Sequence, residues 1–432
     1  MNNVDWIAQA IGTDRLEAAC TEASRKRLCQ ALGLEYMPEV SDEELKHVSA
    51  ALELLVFDLI EDDSIEQNND LTTSCAKVFQ LLRVVKLPSN SVDKIHHLLR
   101  LSCYGLLGDR GVDLKRILQK VDLPLDATSQ DWGTRVWLTT LELWLRLLRK
   151  DGWKDLDAVQ SLVKLLRDEQ DDNEPKYLDS LKKDGTTSPA WQLVAEYHLA
   201  RAAEILAVFL TQGESDGHFD ITQQLDAQFE RAISACSRGS LVELEVLSRL
   251  LWKASKKLVA NSIWTVTRAV NSRVSKFVSN IVSRSKEDPL FEMLPPQRKT
   301  LREAGLLGSS TRSVVVSLPT SSGKTLIAQF RMLQALNQFD HDRGWIAYLA
   351  PTRALVNQVA ARLRRDFVPL GICVEKVSPA LEIDSQEERL LLDKDVESQF
   401  RVLVTTPEKL DIMLRGDWEA KIARPLTLIV VD

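Results

Sequence analysis

Gly323, Lys324 and Thr325 follow the small polar run Thr320-Ser321-Ser322 and lead into apolar residues at helical spacing. A β-branched run, Val314-Val315-Val316, stands just upstream. That order predicts a strand, a loop and a helix. It is the context in which main-chain N–H groups converge on a phosphate at a helix N-terminus. Gly323, without a Cβ, lets the backbone approach closely. The Lys324 ammonium would bridge the β- and γ-phosphates of a nucleotide, and the Thr325 hydroxyl would give an oxygen to Mg²⁺. Thr320, Ser321 and Ser322 would line the loop. Its first position, usually Gly or Ala in such loops, is Leu318. The simpler alternative is a Gly-Lys-Thr that only caps a helix.

Other polar groups stand where apolar runs end. Thr352 and Arg353 follow the run 345–349, Thr405 and Thr406 follow 402–404, and Asp432 follows 428–431. In open parallel sheets, ligands bind beyond the carboxyl ends of the strands. Hydroxyls, helix N-termini and a guanidinium suit the phosphates of a single strand without reading its bases. Thr352 and Thr406 would also serve as plain helix N-caps. Upstream, Gln297 sits in Leu294-Pro295-Pro296-Gln297. Its amide pairs an acceptor with a donor, which matches the edge of adenine.

Four segments occur in order: 319–325, 350–358, Thr405-Thr406-Pro407-Glu408-Lys409-Leu410-Asp411, and Leu428-Ile429-Val430-Val431-Asp432. They resemble motifs I, Ia and Ib and the start of motif II of the superfamily 2 DExD/H helicases. The stretch 406–411 with Leu414-Arg415 is most similar to the subgroup related to Ski-type helicases. The resemblance implies an ATP-dependent motor that uses ATP and Mg²⁺ and binds single-stranded DNA or RNA. It implies that Lys324, Thr325 and Asp432 hold MgATP, with Gly323 and its neighbours as the cradle. Gln297 would read adenine, with Phe291 or Leu294 packing on the base. Thr352, Arg353 and Thr406 would grip the strand.

In that family a glutamate follows the motif II aspartate, and a second RecA-like domain supplies an arginine finger worth roughly 10³–10⁵ in rate. Asp432 is the last residue. The expectation is therefore an amino-terminal fragment of an ATP hydrolase that binds nucleotide without hydrolysing it usefully alone. Two alternatives stand beside the helicase. One is a non-unwinding motor subunit of a restriction or antiviral defence complex, with a partner protein docked on its helical domain. The other is a non-catalytic interaction module.

These residues need a scaffold, and proline usage divides the chain. Residues 1–285 hold five prolines and residues 286–432 hold nine. The first region predicts an all-helical accessory domain of one or two subdomains. A capping box, Ser41-x-x-Glu44, precedes Leu45, Val48, Leu52, Val56 and Leu59 at helical spacing. Further stripes run along Leu141, Trp144, Leu145 and Leu148, opposed by Glu142, Arg146 and Arg149, and along Leu247, Leu250, Leu251, Ala254 and Leu258. Polar loops are expected at 61–70, 168–175 and 213–220. The second region, 286–432, alternates β-rich runs at 314–316, 345–349, 402–404 and 428–431 with helical segments near 326–336, 355–367 and 387–392. That is a partial first RecA-like domain, with a parallel sheet covered on both faces. The fold class is α + α/β.

Composition narrows the classes. Of 432 residues, 44% are hydrophobic and 27% charged, which excludes a disordered chain. The net charge of −7 excludes a globally basic coat. Six cysteines without metal-ligand spacing, no leader segment, and charges within the apolar stretch 193–210 point to a cytoplasmic protein outside the membrane. Residues 246–286 carry nine Lys and Arg and no acid, with Trp252, Trp264 and Phe277 interleaved. They form either a phosphate-tracking surface or solvated helix faces whose aromatics are core.

Overall fold

A computed structural model describes residues 9–61, 69–86, 88, 91–123, 125, 131–181, 187–214, 220–268, 270–283, 289–303, 305–308, 313–318, 323–377, 399–415 and 424–432. The chain forms two compact units, 1–260 with 286–288, and 261–285 with 289–432. The first unit is helical. Its helices are α1 (Thr13–Leu32), α2 (Asp42–Glu61), α3 (Asn69–Leu82), α4 (Ser91–Leu107), α5 (Gly111–Leu118), α6 (Trp132–Arg149), α7 (Trp153–Ser180), α8 (Thr187–Gln212), α9 (Ile221–Gly239) and α10 (Val242–Asn261). Most successive helices pack on one another, and α6 also meets α4 and α8.

The apolar stripes read from the sequence are the buried ones. Leu45, Val48, Leu52, Val56 and Leu59 are buried, as are Leu141, Trp144, Leu145 and Leu148 and the stripe on α10. The capping box forms by half. Ser41 Oγ accepts from Glu44 N at 3.1 Å, but the Glu44 carboxylate pairs with Arg15 instead of reaching back. The acidic stretch 168–175 is not a loop. It lies within α7, which runs on through Pro175 for 28 residues. Gln170 donates to Glu174 at 2.6 Å and Asn173 to Glu169 O at 2.9 Å, so side chains support the helix there. Much of the other two expected loops, and the expected helix at 387–392, lies outside the described residues.

The second unit holds a four-stranded parallel sheet. Its strands are β1 (Trp345–Leu349), β2 (Val374–Lys376), β3 (Val402–Thr405) and β4 (Leu426–Val431), in the order β2-β3-β1-β4. Helix α11 (Ser272–Ser283) packs on α12 (Lys324–Gln338) and α13 (Arg353–Phe367). Phe277 is fully buried edge-on against Phe330 and Phe367, which is why 272–283 belongs with the sheet although its composition resembles the helical region. On the sheet's other face, Trp345, Ala347, Leu349 and Leu403 pack with Leu410 and Met413 of α14 (Pro407–Arg415). With both faces covered, every residue of β1 is buried, as a near-continuous apolar run requires.

One expected strand is absent. Residues 313–318 form no ladder, and Val315 is 96% exposed. Among the described residues the sheet ends at β4. A β-branched run becomes a strand only where a neighbour offers an edge and a packing face.

Candidate nucleotide and nucleic-acid site

Parallel pairing sets the site. Leu349 is level with Thr405 on one side and with Val431 on the other. The ladder runs one step further, with Ala350 N donating to Thr405 O and Asp432 N to Leu349 O, both at 3.0 Å. The residues following these strand ends, 350–353, Thr406 and Asp432, therefore share one edge of the sheet.

Helix α12 enters the same neighbourhood. Its last turn lies beside the starts of the strands: Gly344 N donates to Phe339 O at 3.2 Å, and a Cβ on Gly344 would fall 2.3 Å from Thr427. The helix packs on β1 and β4. Fifteen residues rise about 22 Å, and the five of β1 about 17 Å. A helix that turns directly into the strand it covers runs antiparallel to it, so Lys324 lies toward the carboxyl-terminal edge.

Gly323 caps that helix in the left-handed region, with φ 76° and ψ 37°. A side chain there would be strained by the backbone. It would also collide with Gln297, whose Nε2 lies 2.4 Å from the site of a Cβ. The glycine is thus required twice. Gln297 is buried, and its Oε1 accepts from Leu294 N at 2.9 Å. Its amide oxygen closes its own turn while its amide nitrogen abuts the loop. Phe291 is buried too, so its ring belongs to the core. Thr320, Ser321 and Ser322 lie outside the described residues.

Thr352 has both a cap's geometry and an exposed position. Its Oγ1 accepts from Leu355 N at 3.3 Å at the start of α13. Thr406 is buried and Lys409 N points to its Oγ1 at 3.5 Å, the same role at α14. Arg353 and Lys324 are exposed and have no side-chain partner among the described residues. Asp432 Oδ2 accepts from the Tyr348 hydroxyl at 2.9 Å. Burial and this carboxylate push the tyrosine pKa up, so it stays a donor. Tyr348 is a site residue that sequence reading passed over, and the buried Thr405, singled out at its strand end, leaves its Oγ1 without a hydrogen-bond partner among the described residues. Tyr348 sits inside an apolar run, where only strand alternation could have singled it out.

Residues 295–432 match the model of the DEAD/DEAH box helicase family. They belong to the superfamily 2 DExD/H helicases. The helicase segment is 28% identical to the Hachiman protein HamB of Bacillus cereus over 187 residues, 43% of this chain and 15% of that protein. It is 28% identical to the ATP-dependent DNA helicase Hel308 of Methanococcus vannielii over 160 residues, 36% of this chain and 19% of that protein. It is 28% identical to the DExH-box ATP-dependent RNA helicase DExH12 of Arabidopsis thaliana over 127 residues, 28% of this chain and 5% of that protein. The chain therefore spans under a fifth of these relatives' lengths. The HamB and Hel308 likenesses are both longer than the family match and so reach upstream of residue 295.

The basic stretch is mostly used internally. Lys256 pairs with Asp226 at 3.3 Å and Lys257 with Asp109 at 3.2 Å. Arg249 pairs with Glu245 and Arg273 with Asp340, each at 2.7 Å. Trp252 stacks on Phe229 and donates to Asp226. Arg284 and Lys286 lie outside the described residues. No helix among the described residues is long and apolar enough to cross a membrane.

Proposed function

We propose that the helicase segment binds ATP and single-stranded nucleic acid along one rim, as part of an ATP-dependent helicase or translocase. The observation that carries the reading is the shared register of Leu349, Thr405 and Val431, with α12 starting toward the same edge. A phosphate site at this turn is supported by the partial positive charge of the α12 N-terminus and by the glycine that caps it in the left-handed region. Thr320, Ser321, Ser322, Gly323 and Lys324 would hold the phosphates. The Thr325 hydroxyl and the Asp432 carboxylate are hard oxygen donors of the kind Mg²⁺ takes. Bound Mg²⁺ would neutralise charge on the β- and γ-oxygens. Tyr348 holds Asp432 in place, and Gln297 holds the turn beside the loop. Thr352, Arg353 and Thr406 would contact phosphates of the strand.

ATP hydrolysis by the full-length protein, with and without single-stranded DNA or RNA, tests this. Lys324→Ala should lower stimulated turnover about 10²–10³-fold, the cost of losing one preorganised charge donor, without changing the melting temperature. Unchanged turnover would remove the nucleotide reading. Relatives named for DNA and for RNA both match, so matched oligonucleotides decide the sugar.

A second reading, a motor subunit of a defence complex that translocates without unwinding, rests on the likeness to the Hachiman protein HamB. Strand displacement by the full-length protein would count against it. A cytoplasmic location belongs to the same proposal and is checked by cell fractionation.

A further inference from the structure

Among the described residues, helix α1 carries an unpartnered face. Arg27 and Ala31 line a groove of about 420 Å³, walled on its far side by Arg83 and Arg110. Leu28, in the same groove, is 59% exposed and Leu32, one turn on, is 61% exposed. Just past the helix, Leu34 and Met37 are exposed as well. Single exposed apolar residues are ordinary on a protein surface, but such a concentration beside a groove marks a contact site.

The charge is equally one-sided. Three arginines face one carboxylate, Asp113. Arg27 and Arg83 both lean on its Oδ1, at 3.5 and 3.8 Å, and Arg110 has no side-chain partner among the described residues. Nη1 of Arg83 is buried and makes no hydrogen bond among the described residues. Burial and then the nearby Arg27 lower the Arg83 pKa, the mark of a cation short of counter-charge. The excess guanidinium calls for carboxylates, and the leucines call for an apolar face.

We propose that this groove docks an acidic amphipathic helix of a partner protein, its carboxylates on Arg27, Arg83 and Arg110 and its apolar face on Leu28 and Leu32. A nucleic-acid strand would satisfy the arginines but would set phosphates against leucines. It would also find no exposed ring to stack on, since Phe79 of the groove is buried. The proposal does not rest on the ATP and strand reading, and its test measures no hydrolysis.

The test is fluorescence polarisation on the full-length protein. The probe is a synthetic helix of glutamate and alanine with leucines at i, i+4 and i+7. A second probe has glutamine for glutamate, and oligothymidine is the competitor. Saturable binding of the acidic probe is expected, about tenfold weaker for the glutamine probe and weakening with salt. Arg27→Glu with Arg110→Glu should lower acidic-probe affinity at least about tenfold at an unchanged melting temperature. Arg110→Glu alone, at a side chain without a partner, keeps the test valid if the double variant unfolds. Leu28→Gln with Leu32→Gln should weaken both probes. No saturable binding, or binding indifferent to the arginine variants, overturns the proposal. Displacement of the probe by oligothymidine, with oligothymidine affinity lost in the same arginine variants, would make it a phosphate groove instead.

Discussion

The helical unit and the sheet unit treat their polar side chains in opposite ways. Inside the helices, charge is taken out of water and matched. Asp155 is fully buried at the start of α7, where Arg149 donates to both of its oxygens at 2.8 and 2.6 Å and Arg146 adds a contact at 3.2 Å. Arg146 also donates to Glu142 at 2.7 Å, and Asp151 N completes the Asp155 shell. At the carboxyl edge of the sheet, Lys324 and Arg353 are left exposed beside helix N-termini, and Thr405 Oγ1 is buried without a partner among the described residues. Polar groups matched within the fold serve stability, whereas those spared at strand ends remain available to a ligand. Glu142 and Arg149, which helical spacing places opposite the core stripe, show the first half of that rule, because both are buried in the network.

Breaking the matched network should have the largest effect. Asp155→Ala strands the buried Arg149 guanidinium and removes one of the two carboxylates held by the half-buried Arg146, and should cost about 3–5 kcal/mol in urea unfolding; a loss below about 1 kcal/mol would mean water already reaches the network. Glu196 sharpens the contrast, since it is a buried acid of the helical unit with no cation beside it among the described residues. It is fully buried on α8, with Gln192 donating to Oε1 at 2.8 Å and Oε2 without a partner among the described residues. Burial pushes its pKa up to about 8. The folded state then binds a proton that the unfolded state, at its ordinary carboxylate value, has released. Stability should fall as pH rises from about 4.5 to about 8 and level off above, a total of a few kcal/mol. Glu196→Gln should flatten that slope and stabilise the protein at pH 8; an unchanged melting curve across this range would place the carboxylate in water.

Smaller effects are expected at the rim. Thr352→Ala removes the α13 cap and should cost about 1 kcal/mol, which Thr352→Ser restores. If strand binding returns with serine as well, the hydroxyl serves both cap and grip. Arg353→Ala should leave stability within about 0.5 kcal/mol while weakening single-strand binding. A stability loss beyond that would show the guanidinium to be structural after all.

Much of this was legible in the residues themselves. Apolar spacing marked the helix faces on α2, α6 and α10, and β-rich runs marked β1, β3 and β4. Gly-Lys-Thr marked the turn into α12. The failures are instructive. The acidic stretch within α7 reads as a loop because its charges and proline suggest one, yet side-chain hydrogen bonds and the packing of α7 on α6 and α8 carry the helix through. The run 314–316 reads as a strand because it is β-branched, yet no ladder receives it. The basic stretch at 246–286 reads either as a binding surface or as solvated helix faces, and spacing could not choose, because three of its cations pair with Asp109, Asp226 and Asp340, far away in sequence.

Local pattern by itself determined which residues turn inward and where a glycine, a lysine and three threonines punctuate the strand ends, because periodicity and backbone freedom act within a few residues. Only the tertiary structure decided that Leu349, Thr405 and Val431 stand level, that Gln297 closes on Gly323, that Tyr348 holds Asp432, and that Arg27, Arg83 and Arg110 line one groove with a single aspartate, Asp113. Those facts depend on contacts between segments distant in the chain, and such contacts are selected by packing and by the matching of buried charge.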